Sequence, residues 1–246
     1  MAPQRGRIHW VVILLLAVAA LSGGCVYLRL LALRNQLADF DRNFTLDLAD
    51  GVRIQCHHPL IQSSDLRWLG VAPTRITTTG RAATRWRVRW LKQPPPGVVE
   101  PVEYDVELFA ELADDRVTSV HIPERSFEFF PKELFAQLLR STASARVDRR
   151  SRRAEVTTVA PQPAPGFIPP RREAIEQILG LPTDRSDEGS QARYLYRYLP
   201  DTTNGEGRPV DMTFVFDQAD GALLRLSGRL PRGTIDYTFV PAPPAR

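Results

Sequence analysis

Cys56, His57 and His58 stand side by side, the one place in the chain where metal-ligand side chains cluster. They fall in a stretch that alternates as a strand, where successive side chains point to opposite faces, so at most Cys56 and His58 could share an ion. No spaced Cys or His pair elsewhere completes a four-ligand set, and His9 and His121 lie outside any such spacing. Ser63 and Ser64 precede Asp65 where a helix is expected to begin, and capping explains them better than nucleophilicity. Glu103, Asp105, Glu107 and Asp211 sit in alternating strand patterns, whose outward face is ordinarily polar. The chain carries no Gly-x-Ser-x-Gly elbow, no His-Glu-x-x-His and no phosphate-cradling glycine loop. These residue types point to a protein without enzymatic activity, cofactor or bound metal.

The elements themselves are easier to read. In Arg171 to Phe239, Ile175, Ile178 and Leu179 make one apolar stripe, so a short helix is expected, stopped by Gly180 and Pro182. Tyr194, Tyr196 and Tyr198 then alternate with Leu195 and Arg197, a strand with one aromatic face. Asn204 to Gly207 reads as a hairpin connection, Met212, Phe214 and Phe216 resume the alternation, and Asp220-Gly221 marks a turn before Leu224 and Leu226.

The same succession occurs earlier. Ser63 to Gly70 precedes Pro73-Thr74 as Ile175 to Gly180 precedes Pro182-Thr183, and Trp86-Arg87-Val88-Arg89-Trp90-Leu91 matches Tyr194-Leu195-Tyr196-Arg197-Tyr198-Leu199. Pro101-Val102-Glu103 matches Pro209-Val210-Asp211, Asp114 falls where Asp220 does, and Pro123, Phe127 and Phe129 parallel Pro231, Ile235 and Tyr237. The expectation is an α+β chain of two repeated modules, each a short helix packed on a three- to four-stranded antiparallel sheet. The first spans 44–130 and the second 171–240. The aromatic strands, with Trp86, Trp90, Tyr194, Tyr196 and Tyr198, are the candidate protein interface, since rigid aromatic anchors serve such contacts.

Residues 1–25 read as a signal peptide or membrane anchor. Arg5 and Arg7 precede the apolar run Trp10 to Leu21, which ends in Ser22-Gly23-Gly24-Cys25. A short apolar region followed by small residues and a cysteine looks like an exported bacterial lipoprotein, with Cys25 as the site of lipid attachment. An uncleaved anchor from Trp10 to Leu28 and simple cleavage are the other readings. With the N-terminal arginines held inside, the bulk of the chain faces outward. Residues 26–43 continue as an amphipathic helix through Leu28, Leu31, Leu37 and Phe40, either a stalk or a helix lying on the headgroups. Cys56 then lacks a disulfide partner and is expected to be a small buried residue.

Phe44 to Cys56 is expected to be a hairpin turning at Asp50-Gly51, and Pro94-Pro95-Pro96-Gly97 a stiff loop tip or a docking surface. Residues 131–159 should hold a connecting helix, with Leu134, Phe135, Leu138 and Leu139 on one side, followed by Arg146, Arg149, Arg150, Arg152 and Arg153. Those arginines are either a solvated turn between short strands or an electropositive patch for anionic lipid, lipopolysaccharide or peptidoglycan. A net charge of +4 is compatible with the second. Nucleic acid is set aside because the expected address is outside the cytoplasm. Residues 160–170 form a Pro-rich linker.

A helix ending in Leu-Gly-x-Pro-Thr, an aromatic-Arg-aromatic strand, then a Phe-x-Phe-Asp strand with an Asp-Gly turn resembles the SmpA/OmlA (BamE-like) outer-membrane lipoproteins. The likeness covers Arg171 to Leu230 well and Ser63 to Phe130 more weakly, with tryptophans at 86 and 90 and Asp115 in place of the turn glycine. The resemblance implies an α+β fold shared with β-lactamase-inhibitor-like domains and a lipidated cysteine. It also implies an address in the cell envelope facing the periplasm, at the outer rather than the inner membrane. Two modules in one chain and the preceding helix depart from single-module members. The expected role is a non-enzymatic scaffold that binds another envelope protein. The alternatives are an inhibitor-like or ligand-binding module, with the aromatic side chains of both halves converging on one exposed concavity, and a tether to peptidoglycan or anionic lipid through the arginine run.

Overall fold

The computed structural model describes residues 26, 28–99, 104–141, 146–148, 153–157, 168–230 and 233–239. Helix α1 (28–38) and the single turn α2 (Phe40–Asn43) lead into a hairpin of β1 (Phe44–Asp47) and β2 (Val52–Cys56). Its turn requires Gly51, whose φ is +71° and where a Cβ would lie 2.1 Å from the Ile122 carbonyl oxygen. Next come α3 (Ser63–Trp68), β3 (Arg75–Thr78), β4 (Ala83–Lys92), β5 (Val106–Ala113) and β6 (Arg116–Ile122). A 3₁₀ turn (Glu124–Phe127) and α4 (Lys132–Ser141) connect to β7 (Arg146–Asp148) and β8 (Arg153–Thr157). The rest is α5 (Arg172–Leu179), β9 (Asp184–Glu188), β10 (Gln191–Pro200), β11 (Val210–Asp217), β12 (Leu223–Leu230) and β13 (Gly233–Thr238).

A three- to four-stranded sheet in each module was the expectation; among the described residues the strands form one 13-stranded sheet. Its order is β1-β2-β6-β5-β4-β10-β11-β12-β13-β8-β7, with β3 beside β4 and β9 beside β10. Among the described residues every strand pairing is antiparallel except β13 with β8. The join is a short one, Trp90 to Lys92 against Tyr198 to Pro200.

Alternation along these strands separates two faces. One holds Trp86, Val88, Trp90, Tyr194, Tyr196, Tyr198, Phe214 and Phe216, all buried in a single core cluster. Leu134 of α4 and Ile175 and Leu179 of α5 belong to that cluster, and Leu30 and Leu33 of α1 and Leu66 of α3 pack against it. The helices thus cover the aromatic face. Ring edges meet ring faces within it, as in Tyr196 with Phe214 at 5.5 Å between centroids, the geometry that aromatic quadrupoles favour.

Helix α1 is not a free stalk. Besides Leu30 and Leu33, its Arg29 makes a bidentate pair with the fully buried Asp65 of α3, both contacts at 2.6 Å. Asp65 also accepts the Gln62 N–H at 2.9 Å, so the cap of α3 is made by Asp65 and not by Ser63 or Ser64.

The two halves share much of their register. The central strands β4 and β10 each run 10 residues, and β5 and β11 each run 8. A one-residue slip falls between Glu111 and Leu112 in one half and between Val215 and Phe216 in the other. Val106-Glu107 stands opposite Trp90-Arg89 as Val210-Asp211 stands opposite Tyr198-Arg197, so the counterpart of Val210-Asp211 is not Val102-Glu103. Phe127 and Phe129 also differ from Ile235 and Tyr237, which lie in β13. The outer edge of β6, equivalent to the edge of β12 that β13 occupies, is already filled by β2. The 124–130 segment therefore turns away, and Phe129 and Phe130 pack on Phe214 and Tyr237 of the other half at 5.8 and 6.1 Å.

Candidate functional site: the seam and the open face of the sheet

The join between β4 and β10 is built from two Pro-Thr pairs. β3 covers the free edge of β4 only as far as Arg87, whose carbonyl accepts the Thr74 N–H at 2.8 Å. The next outward N–H, that of Arg89, donates to Thr74 Oγ1 at 3.1 Å, and the Arg89 carbonyl accepts the Asp201 N–H at 2.9 Å. On the other side, the Arg197 N–H donates to Thr183 Oγ1 at 3.0 Å and the Arg197 carbonyl accepts the Gln93 N–H at 2.8 Å. Thr183 Oγ1 also donates to the Gln93 carbonyl at 2.5 Å, so this hydroxyl bonds both halves. Proline before each threonine cannot continue the preceding helix, so the chain turns there toward the strand. The threonine hydroxyl then satisfies the one strand N–H that neither neighbouring strand reaches. Leu91 faces Leu199 across the seam, Lys92 faces Tyr198 and Trp90 faces Pro200. The loop after β10 is held on α3 by the Arg67–Glu206 pair at 2.5 Å and on β4 by the Trp90 indole donating to the Arg208 carbonyl at 3.3 Å.

The face opposite the rings is open and runs through this seam. It carries Arg85, Arg87 and Arg89 of β4, Arg193 and Arg197 of β10 and Arg225 and Arg229 of β12, exposed apart from the half-buried Arg89. Between them lie Phe109, Leu91, Leu195, Leu199 and Val215, all half-buried. Arg87 pairs with Glu107, Arg89 with Asp105 and, at 3.6 Å, with Asp201. Arg197 holds Asp211 in a fork at 2.9 and 3.3 Å, and Arg225 holds Asp236. Hydrogen bonding to Asp105, Asp211 and Asp236 respectively raises the Arg89, Arg197 and Arg225 guanidinium pKa values, so these charges are permanent.

Four of these five pairs are layered: their arginine side chains keep 34% to 52% of their surface exposed and their carboxylate partners 4% to 28%, whereas in Arg89–Asp201 the two are equally exposed. Carboxylates lie low against the strands and guanidinium groups stand above them. At these four pairs, what meets solvent is therefore more positive than their formal charge.

The candidate interface residues Trp86, Trp90, Tyr194, Tyr196 and Tyr198 are not on this surface. All five side chains are buried under the helices, which removes them as surface anchors and removes the exposed aromatic concavity on which the inhibitor-like alternative rested. Their strand neighbours, the arginines of the same aromatic-Arg-aromatic pattern, hold the open face. Period-two alternation contained that signal, because burying every ring on one face sends the intervening residues to the other. Of the arginine run, Arg146 begins β7 and Arg153 begins β8, while Arg149, Arg150 and Arg152 fall outside the described residues, as does Cys25.

Cys56 and the histidines do not gather. The His57 ring bonds Thr45 Oγ1 at 2.8 Å and the Arg42 carbonyl at 2.9 Å, and the Cys56 thiol, half-buried and free, is pushed up to about 11 by burial. Among the described residues there is no group of His, Cys, Asp and Glu arranged to hold a metal ion, and no helix long and apolar enough to cross a membrane. Compared with protein-family models, curated proteins and solved structures, the chain matches none of them.

Proposed function

We propose that this chain is a non-enzymatic protein-binding scaffold, tethered in the bacterial cell envelope by its N-terminal segment and built from two copies of one helix-and-sheet module. The observation that carries the reading is the open arginine-bearing face of a sheet continuous through both halves. A rigid, two-half surface with ordered cations and half-buried apolar residues between them has the composition of a recognition face. The shared register of the halves and the paired Pro-Thr devices support the repeat. The apolar run Trp10 to Leu21 and Cys25, together with the likeness to the SmpA/OmlA lipoproteins, support the envelope address, with the outer membrane favoured.

A photo-crosslinking residue placed at Leu195 or Ser227, both on the open face, is expected to give one adduct of discrete mass in intact cells. The same residue at Gln177, on exposed α5, is expected to give none. Adducts from Gln177 alone, or from no position, would sink the scaffold reading. Labelled palmitate entering the natural protein but not Cys25→Ala would separate a lipid anchor from a spanning one.

A further inference from the structure

The arginines of the open face form a line that neither half carries alone. Arg85, Arg87 and Arg89 recur at alternate residues of β4, about 6.6 Å apart along the strand, and Leu91 follows on the same face. Leu91 stands opposite Leu199 in an antiparallel pair, so the line continues in the same direction by running backwards along β10 through Arg197, Leu195 and Arg193. The stripe is roughly 40 Å long at about 3.3 Å per residue, with a leucine pair at its middle. At one end the Arg85 guanidinium lies over the Phe109 ring at 4.6 Å, and at the other Arg193 is exposed. Neither is in an ion pair among the described residues.

Resting on the scaffold reading, we infer that this stripe binds an extended acidic segment of a partner protein, with carboxylates at alternate residues and an apolar side chain on the Leu91–Leu199 pair. Charge complementarity selects an anion, because the carboxylates of Glu107, Asp105 and Asp211 lie beneath their arginines, Glu111 opposite Arg85 is paired with Arg53 at 4.0 Å, and the end arginines are in no ion pair among the described residues. The alternate-residue period selects an extended polypeptide, whose own side chains on one face repeat at the same interval. The leucine midpoint suits a side chain better than a phosphate. A membrane surface fits less well, since α1, which leads in from the N-terminal apolar segment, packs against the aromatic face on the other side of the sheet.

The test uses the full chain in detergent and a fluorescent peptide about 13 residues long, the extended length of the stripe. It carries glutamates at alternate positions around a central leucine; a second peptide of equal composition has its glutamates in one block. Fluorescence anisotropy is expected to show tighter binding of the alternating peptide, weakening as salt rises. Arg85→Gln with Arg193→Gln is expected to weaken it about tenfold, two exposed charge contacts each contributing up to roughly fivefold. Arg171→Gln with Arg208→Gln, exposed but off the stripe, should leave binding unchanged, and thermal unfolding should be unaltered in both double variants. Equal binding of both peptides, or no effect of Arg85→Gln with Arg193→Gln, would overturn the inference. So would flotation with phosphatidylglycerol vesicles that depends on the same two arginines and displaces the peptide. If crosslinking from Leu195 persists in that case, the scaffold reading stands with another contact chemistry; if it vanishes as well, both fall.

Discussion

Valine in place of Thr183 keeps the shape of the side chain and removes its hydroxyl, which accepts the Arg197 N–H at 3.0 Å and donates to the Gln93 carbonyl at 2.5 Å. A typical intramolecular hydrogen bond contributes about 1 kcal/mol net, so losing both costs about 2 kcal/mol. Water reaching the exposed Arg197 side of the seam keeps the penalty from rising further. Thr74 makes only the one corresponding bond, from the Arg89 N–H at 3.1 Å, so Thr74→Val costs about 1 kcal/mol. For a chain of this size, thermal unfolding should then shift by about 4–8 °C for Thr183→Val and half that for Thr74→Val. Thr183→Ser retains the hydroxyl and should recover most of the loss. Circular dichroism reads the midpoints, and hydrogen exchange at the Arg197 amide reads the seam itself, where protection should drop in the valine variant alone. Equal midpoints for Thr183→Val and Thr183→Ser, with unchanged exchange at Arg197, would refute the assignment of the seam to these hydroxyls.

Arg29→Met leaves the fully buried Asp65 without its bidentate partner, and removing one member of a buried pair costs about 3–5 kcal/mol; limited proteolysis should then cut within α1. Gly51→Ala should destabilise by about 2–4 kcal/mol in urea titration, the strain of positive φ adding to the clash with the Ile122 and Glu124 backbone. Gly189→Ala, at φ +62° but with nothing within 4 Å, should cost only about 1 kcal/mol. The Glu124 carboxyl is held below the usual carboxylate range by the Lys132 ammonium and, next, by the Gly51 N–H. Its stabilising contribution is therefore present above about pH 4.3, the ordinary glutamate value, and is lost as pH falls through its lower folded value. Glu124→Gln should flatten the acid limb of a urea-midpoint profile in that window and leave a constant offset above about pH 6; an unchanged acid limb would contradict it.

Local pattern carried a large part of this architecture. The stripe of Ile175, Ile178 and Leu179 with Gly180 after it produced α5, and the turn at Asp50-Gly51 produced the β1–β2 hairpin, because side-chain period and glycine tolerance act within a few residues. The alternation of Trp86 to Leu91 and of Tyr194 to Leu199 produced the central strands. The parallel assigned to Phe127 and Phe129 failed for a non-local reason: β2, arriving from far upstream, already occupies the edge they would need. Sequence reasoning took the rings as interface anchors because it could not see which face the helices cover.

Local side-chain period placed α5 and the central strands β4 and β10, gave each of those strands one aromatic and one arginine-bearing side, and set Pro-Thr ahead of both. That those two strands meet end to end comes from long-range pairing. Pairing Leu91 with Leu199 is a contact between residues far apart in the chain, selected by the edges that β3 and β9 leave free and by the hydroxyls of Thr74 and Thr183. Period within a strand fixes which side a residue faces, whereas the neighbour it meets across an edge depends on every other strand competing for that edge. The arginine stripe is a product of that second choice.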